Sequence, residues 1–334
     1  MWVKVLAIRE IRQARVMFWV LPIVHFLMLG MQRINAWFMG EQYWIDMRIA
    51  GTHSMLDAYQ YGGLESSSRM WLVIALFLLA LIQLAAERRN GVQELLFSLP
   101  YSRRQIFITK WLVGIGLLTG SLVINTGIDM VVMASSPVSS YFSLMFHINE
   151  VLYSLLVGVA LYSFALFLGA ICGSMASQGV ISFMVFILPI GIWELVRDFM
   201  NVHHIPYRND YYSYSYRFQD YFNITSYVGL QYDWISLKHV IVLGIILLVT
   251  AWGGIRAFER NRAENNGKLL IFNFWERVVE VGFVVCFTLL SASFVSSMFN
   301  NSDNTLLMYY IGLVTGVFLG IFIIRRLTRM RLKI

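Results

Sequence analysis

The sequence predicts an all-α, polytopic membrane protein with about eight transmembrane helices, a helix along the membrane surface at its N-terminus, and both ends of the chain in the cytoplasm. Three observations carry that prediction. Apolar residues make up 58% of the 334 positions and charged residues only 13%, far from the balance of a soluble domain. The charges fall in short blocks between apolar runs long enough to cross about 30 Å of hydrocarbon as helices. Nineteen of the 26 Lys and Arg residues lie in blocks that eight alternating helices place on one side, and the positive-inside rule makes that side cytoplasmic.

The first block holds Lys4, Arg9, Arg12 and Arg15 on a helix whose other face shows Trp2, Val3, Leu6, Ala7 and Ile11, a pattern for lying in the inner headgroup layer. The spans follow at roughly Met17–Ala36, Met70–Ala86, Trp111–Ala134, Val151–Ala176, Val180–Val196, His239–Ala257, Val278–Met298 and Leu306–Ile324. The first apolar run starts after fifteen residues and has no small-residue cleavage pattern behind it, so it reads as a retained anchor. Ser177-Gln178-Gly179 is expected to separate the fourth and fifth spans, and Pro189 to kink the fifth. In the last span Gly312, Gly316 and Gly320 recur every fourth residue, a spacing that lets helices approach closely.

Few side chains suggest chemistry. The spans contain few ionisable groups, and these sit mostly near their ends, as Asp129 and the Glu194, Arg197, Asp198 group do; His25 alone is expected near mid-depth. That sparsity disfavours a proton-coupled carrier. Cys172 and Cys286 have no CxxC or CxxH neighbour, and His203-His204 lacks a spaced third ligand, so neither a disulfide framework nor a metal site is expected. His53 and Asp57 are one residue too close for an acyltransferase pair, and no HExxH or GxSxG occurs. The net charge of +7 is explained by topology and anionic lipid heads rather than by nucleic-acid binding. Tyr211, Tyr212, Tyr214 and Tyr216 belong to an aromatic outer segment; they suit a belt in the headgroup layer and are also candidate contacts for an amphipathic substrate.

The most informative stretch runs from Glu87 to Lys110. Leu95, Leu96 and Leu99 fall at helical spacing behind Gly91, Pro100 stops that short helix, and Ser102 with Gln105 forms a capping box that opens another. Glu87, Gly91, Glu94, Leu95, Leu96, Ser98, Leu99, Pro100, Ser102, Arg103, Arg104, Ile106 and Lys110 together resemble the cytoplasmic loop of type-2 ABC transporter permeases. The departures are Val92, where a small hydroxyl residue is usual, and Thr109, where glycine often precedes the lysine. Residues 258–268 and the apolar pair after them resemble the corresponding part of Ytr-type permeases.

The resemblance implies three regions: an elbow helix over 1–15, a six-span core over 16–257 with its coupling loop at 87–110, and 258–334 as a cytoplasmic loop, two further spans and a basic tail. It implies a coupling helix that docks on a cytosolic P-loop ATPase, with Glu94 and the Arg103–Arg104 pair supplying charge and Leu95, Leu96 and Leu99 anchoring the helix to the bundle. A second permease, identical or paralogous, completes the expected assembly in a bacterial plasma membrane. The chain itself is expected to bind no cofactor. Gly267-Lys268 is followed by Leu269 and lacks the upstream glycine of a phosphate-binding loop, so ATP and Mg2+ belong to the partner. The expected role is that of an exporter permease, not itself catalytic. A sensor or scaffold subunit is the alternative, and an intramembrane enzyme is a weaker one. The cargo, whether peptide, lipid, glycopolymer precursor or small drug, is left open.

Overall fold

The computed structural model describes residues 2–60, 63–205, 223–261, 267–299 and 304–329. Among them eight helices are long and apolar enough to cross a membrane. In chain order the helices are α1 (Trp2–Gln13), α2 (Arg15–Met39), α3 (Gln42–Gly51), α4 (Met55–Tyr59), α5 (Leu64–Arg89), α6 (Val92–Ser98), α7 (Arg103–Ser135), α8 (Leu144–Ile171), α9 (Met175–Val202), α10 (Ile224–Gly229), α11 (Leu237–Glu259), α12 (Asn273–Ser297) and α13 (Thr305–Arg329). Tyr211, Tyr212, Tyr214 and Tyr216 lie outside the described residues.

The chain divides into two compact units, Met1–Gly169 with Ser226–Arg260, and Ala170–Thr225 with Asn261–Ile334. In the first, α8 is the most deeply buried span. Close approaches to it are made at glycines: a Cβ on Gly114 of α7 would lie 2.2 Å from the Tyr162 ring, and one on Gly158 would lie 2.6 Å from Leu118. At the end of this unit formed by α3, α4 and the start of α8, Trp37, Tyr59, Met133 and Phe146 form a buried cluster, with Tyr59 and Phe146 stacked at 4.1 Å. In the second unit α12 and α13 form a tight hairpin. A Cβ on Gly312 would lie 2.7 Å from the Ser291 carbonyl oxygen and one on Gly316 would lie 2.9 Å from Thr288 Cα, whereas Gly320 has 3.5 Å of clearance.

Two details differ from the sequence expectation. The break between the fourth and fifth spans falls at Cys172–Ser174 rather than Ser177–Gly179, because the Ser174 and Ser177 hydroxyls form a capping box that starts α9 there. The turn is pinned by backbone bonds from Gly267 N–H to Gly173 O (2.9 Å) and Ile271 N–H to Ile171 O (2.9 Å). On α1, Leu6 and Glu10 are buried while Val5, Ile8 and Ile11 face outward. The apolar stripe is displaced because a carboxylate, Glu10, takes the inward face.

Asp129, which the sequence places near the end of its span, is buried in a network of paired charges. Arg33 is fully buried, with Nε 3.0 Å from Asp129, Nη2 2.6 Å from Glu65 and Nη1 donating to the Tyr59 carbonyl at 2.6 Å. His147 Nε2 lies 3.3 Å from the other Asp129 oxygen. Arg69 pairs with Glu150 at 2.9 Å and donates to the carbonyls of Val228 and Leu230. Buried charges persist only when paired, and these pairs tie α2, α4, α5, α7 and α8 at one end of the unit. Asp57 is likewise structural: it accepts from the His53 and Ser54 backbone N–H groups and caps α4.

Candidate coupling site

The loop between α5 and α7 is built by local chemistry. Gly91 adopts φ of +69°, the left-handed conformation that turns the chain out of α5 and into α6. Leu99 leaves the helix in an extended conformation before Pro100. Ser102 Oγ then accepts from Gln105 N–H at 3.2 Å while the Gln105 side chain accepts from Ser102 N–H at 3.0 Å, starting α7. Each turn needs only neighbouring residues.

The faces of α6 separate cleanly. Gln93 and Leu96 are buried, Leu96 almost completely. Glu94 is exposed, and Leu95 and Leu99 are exposed at 66% and 38%. Of the three leucines expected to anchor the helix, Leu96 alone does so. The other two stand outward with Glu94, whose place in the first turn suits the helix dipole.

The supports of α6 come from distant parts of the first unit. Arg88 donates to Gln93 Oε1 at 3.1 Å and to the Gly169 carbonyl near the end of α8 at 2.7 Å. Arg103 Nη1 donates to the Glu259 carbonyl at the end of α11 at 3.1 Å, and its guanidinium lies 4.4 Å from the Phe97 ring centroid. Phe97 and Phe107 both meet Phe258. Arg103 is therefore a brace, while Arg104 is exposed.

Behind the loop sits a four-charge hub. Lys110 Nζ, fully buried, lies 2.7 Å from Glu87 and 2.9 Å from Glu10, and Arg9 reaches both carboxylates at 3.3 Å. Two cations and two carboxylates leave it neutral. Burial pushes the Glu10 carboxyl above the usual carboxylate range, Lys110 pulls it down, and the nearby Glu87 charge raises it again. Gln13 donates to the Ile82 carbonyl at 3.1 Å, inside a π-helical turn at Leu81–Ala85 that frees such acceptors. From the same turn Gln83 donates to the Lys110 carbonyl at 3.1 Å and accepts from Tyr162 at 2.5 Å. The hub thus joins α1 to the two helices that flank α6. Glu87, expected among the docking residues, is buried inside it.

Sequence similarity bears on what this constellation is for. A family model described as "ABC-2 family transporter protein" matches residues 6–263, which takes in the hub, the loop and the first six spans. The chain belongs to this family. The permease is also 25% identical over 218 residues to the "Probable ABC transporter permease YtrC" of Bacillus subtilis (strain 168), a match covering 61% of this chain and 63% of that protein. With eight helices long and apolar enough to cross a membrane among its described residues, it is a multi-pass membrane protein of that family, and its matched stretch spans under two thirds of the relative.

Glu10 and Gln13 of the permease were not legible as site residues from the sequence, which offered only an acid and an amide on an amphipathic helix. A charged residue on the apolar face of such a helix was the available signal. Among the described residues no group of three or more His, Cys, Asp or Glu is arranged to hold a metal ion.

Proposed function

We propose that this permease is the membrane subunit of an ATP-driven exporter in a bacterial plasma membrane, with both termini cytoplasmic, and that α6 is its coupling helix. The single observation that carries this reading is the division of α6: Leu96 and Gln93 lock it to the bundle, while Glu94, Leu95 and Leu99 present an acidic and apolar face outward. An exposed leucine pair beside a charge, on a helix held at both ends, fits docking to a protein partner.

The partner is a cytosolic P-loop ATPase that supplies ATP and Mg2+ chemistry; this chain is not itself catalytic and works with a second permease. Closure of the ATPase on nucleotide would push α6. The push would reach α5 and α7 through Arg88, Arg103 and the Lys110 hub, rather than being absorbed by a pliable loop.

The test uses the permease assembled with its ATPase. Glu94→Lys is expected to lower ATP turnover of the assembled complex while membrane insertion and the yield of folded permease stay unchanged. Unchanged turnover in a verified complex would overturn the assignment. Transport into vesicles reconstituted with the same complex separates an exporter from a subunit that only transmits a signal.

A further inference from the structure

The second unit holds a groove that the coupling reading does not use. It lies between α9 and α12, encloses about 510 Å³, and is lined by Leu195, Asp198, Phe287, Leu290, Ser293 and Phe294 among others. Asp198 Oδ2 accepts from Ser293 Oγ at 2.5 Å. Among the described residues no cation pairs with Asp198; its neighbour Arg197 is taken by Glu194. The local charge from Glu194, Arg197 and Asp198 is therefore one net negative.

The groove is graded along α9 and α12. Asp198 lies one turn before the end of α9 and Ser293 one turn before the end of α12, the part of a spanning helix that meets the headgroup layer. Phe287 and Leu290 lie deeper on α12, with Phe287 about 10 Å from Phe294 along the axis at 1.5 Å per residue. A carboxylate at the edge of hydrocarbon repels anions and gains nothing from a neutral apolar molecule, whereas a cation on an apolar body satisfies both ends of such a groove.

We propose that this groove binds an amphipathic monocation, its charge on Asp198 and its apolar body along Leu290, Phe287 and Phe294. The assignment stands apart from ATP coupling, since binding is read without an ATPase. The probe is tetraphenylphosphonium, titrated onto the full chain in nanodiscs of phosphatidylglycerol, a lipid without an amine headgroup. Saturable binding is expected, about fivefold weaker for Asp198→Asn, as for a partly exposed ion pair at the strong end of its range. Phe294→Ala is expected to weaken binding. Uncharged triphenylphosphine oxide is expected to bind more weakly than the cation.

Equal affinity for the two probes, no loss in Asp198→Asn, or no loss in Phe294→Ala would overturn the proposal. So would displacement of the probe on adding phosphatidylethanolamine, which would make the groove a seat for a lipid headgroup amine rather than for a free cation.

Discussion

Lys110 Nζ is held between Glu87 at 2.7 Å and Glu10 at 2.9 Å, with both Lys110 and Glu10 fully buried. One ammonium thereby fastens the N-terminal helix to both helices that flank α6. An ion pair of this kind is poor evidence of net stabilisation, since desolvation offsets much of its attraction. Its consequence is geometric, fixing three helix ends relative to one another, and it becomes energetically visible when one member is lost.

Lys110→Ala is expected to destabilise the folded protein by about 3–5 kcal/mol, because two buried carboxylates lose their buried cation and keep only the partly exposed Arg9. Thermal unfolding in a fixed detergent measures it. Glu10→Gln is expected to cost less, since Lys110 keeps Glu87 and a hydrogen-bonding side chain remains.

Glu10 also sets a pH dependence. Its carboxyl is raised above the ordinary value of 4.5 by burial first, so the fold takes up its proton more readily than the unfolded chain does. The corresponding stability is fully present below pH 4.5 and is lost as pH rises through the raised value. Unfolding temperatures of Glu10→Gln measured against the parent from pH 4.5 upward should show a flatter profile in the variant.

Gly91 has φ of +69°, and a Cβ added there would meet no heavy atom within 4 Å. Gly91→Ala therefore costs only the left-handed backbone penalty, about 1–2 kcal/mol, while Gly91→Asn is expected to cost less. Proteolytic nicking of the α5–α6 turn and ATP turnover of the assembled complex report it.

In the α12–α13 hairpin the three spaced glycines are not equivalent. Gly312→Ala would bring Cβ to 2.7 Å from a backbone oxygen, whereas Gly320→Ala would keep 3.5 Å. The first is expected to cost about 1–3 kcal/mol, as overpacking does, and the second much less. Thermal unfolding of the two variants side by side decides it.

Arg33→Met is expected to cost about 3–5 kcal/mol, because Asp129 and Glu65 are left buried without their cation. Adding Asp129→Asn should recover part of the loss. A strictly additive double variant would show that the two residues do not interact.

What the sequence by itself determined was everything set by short-range rules. Apolar run length marked eight spans, and block charge separated their ends. The turn at Gly91 and the Ser102–Gln105 box follow from glycine's conformational freedom and from side chains three residues apart. Only the tertiary structure decided which groups meet: Glu10 with Lys110 across 100 positions, Arg33 with Asp129 across 96, and Leu96 rather than Leu95 or Leu99 against the bundle. The physical reason is that periodicity and capping act within a turn or two of chain. A buried charge pair, by contrast, depends on which helix faces are packed together, and helical spacing alone leaves several faces open to the same residue.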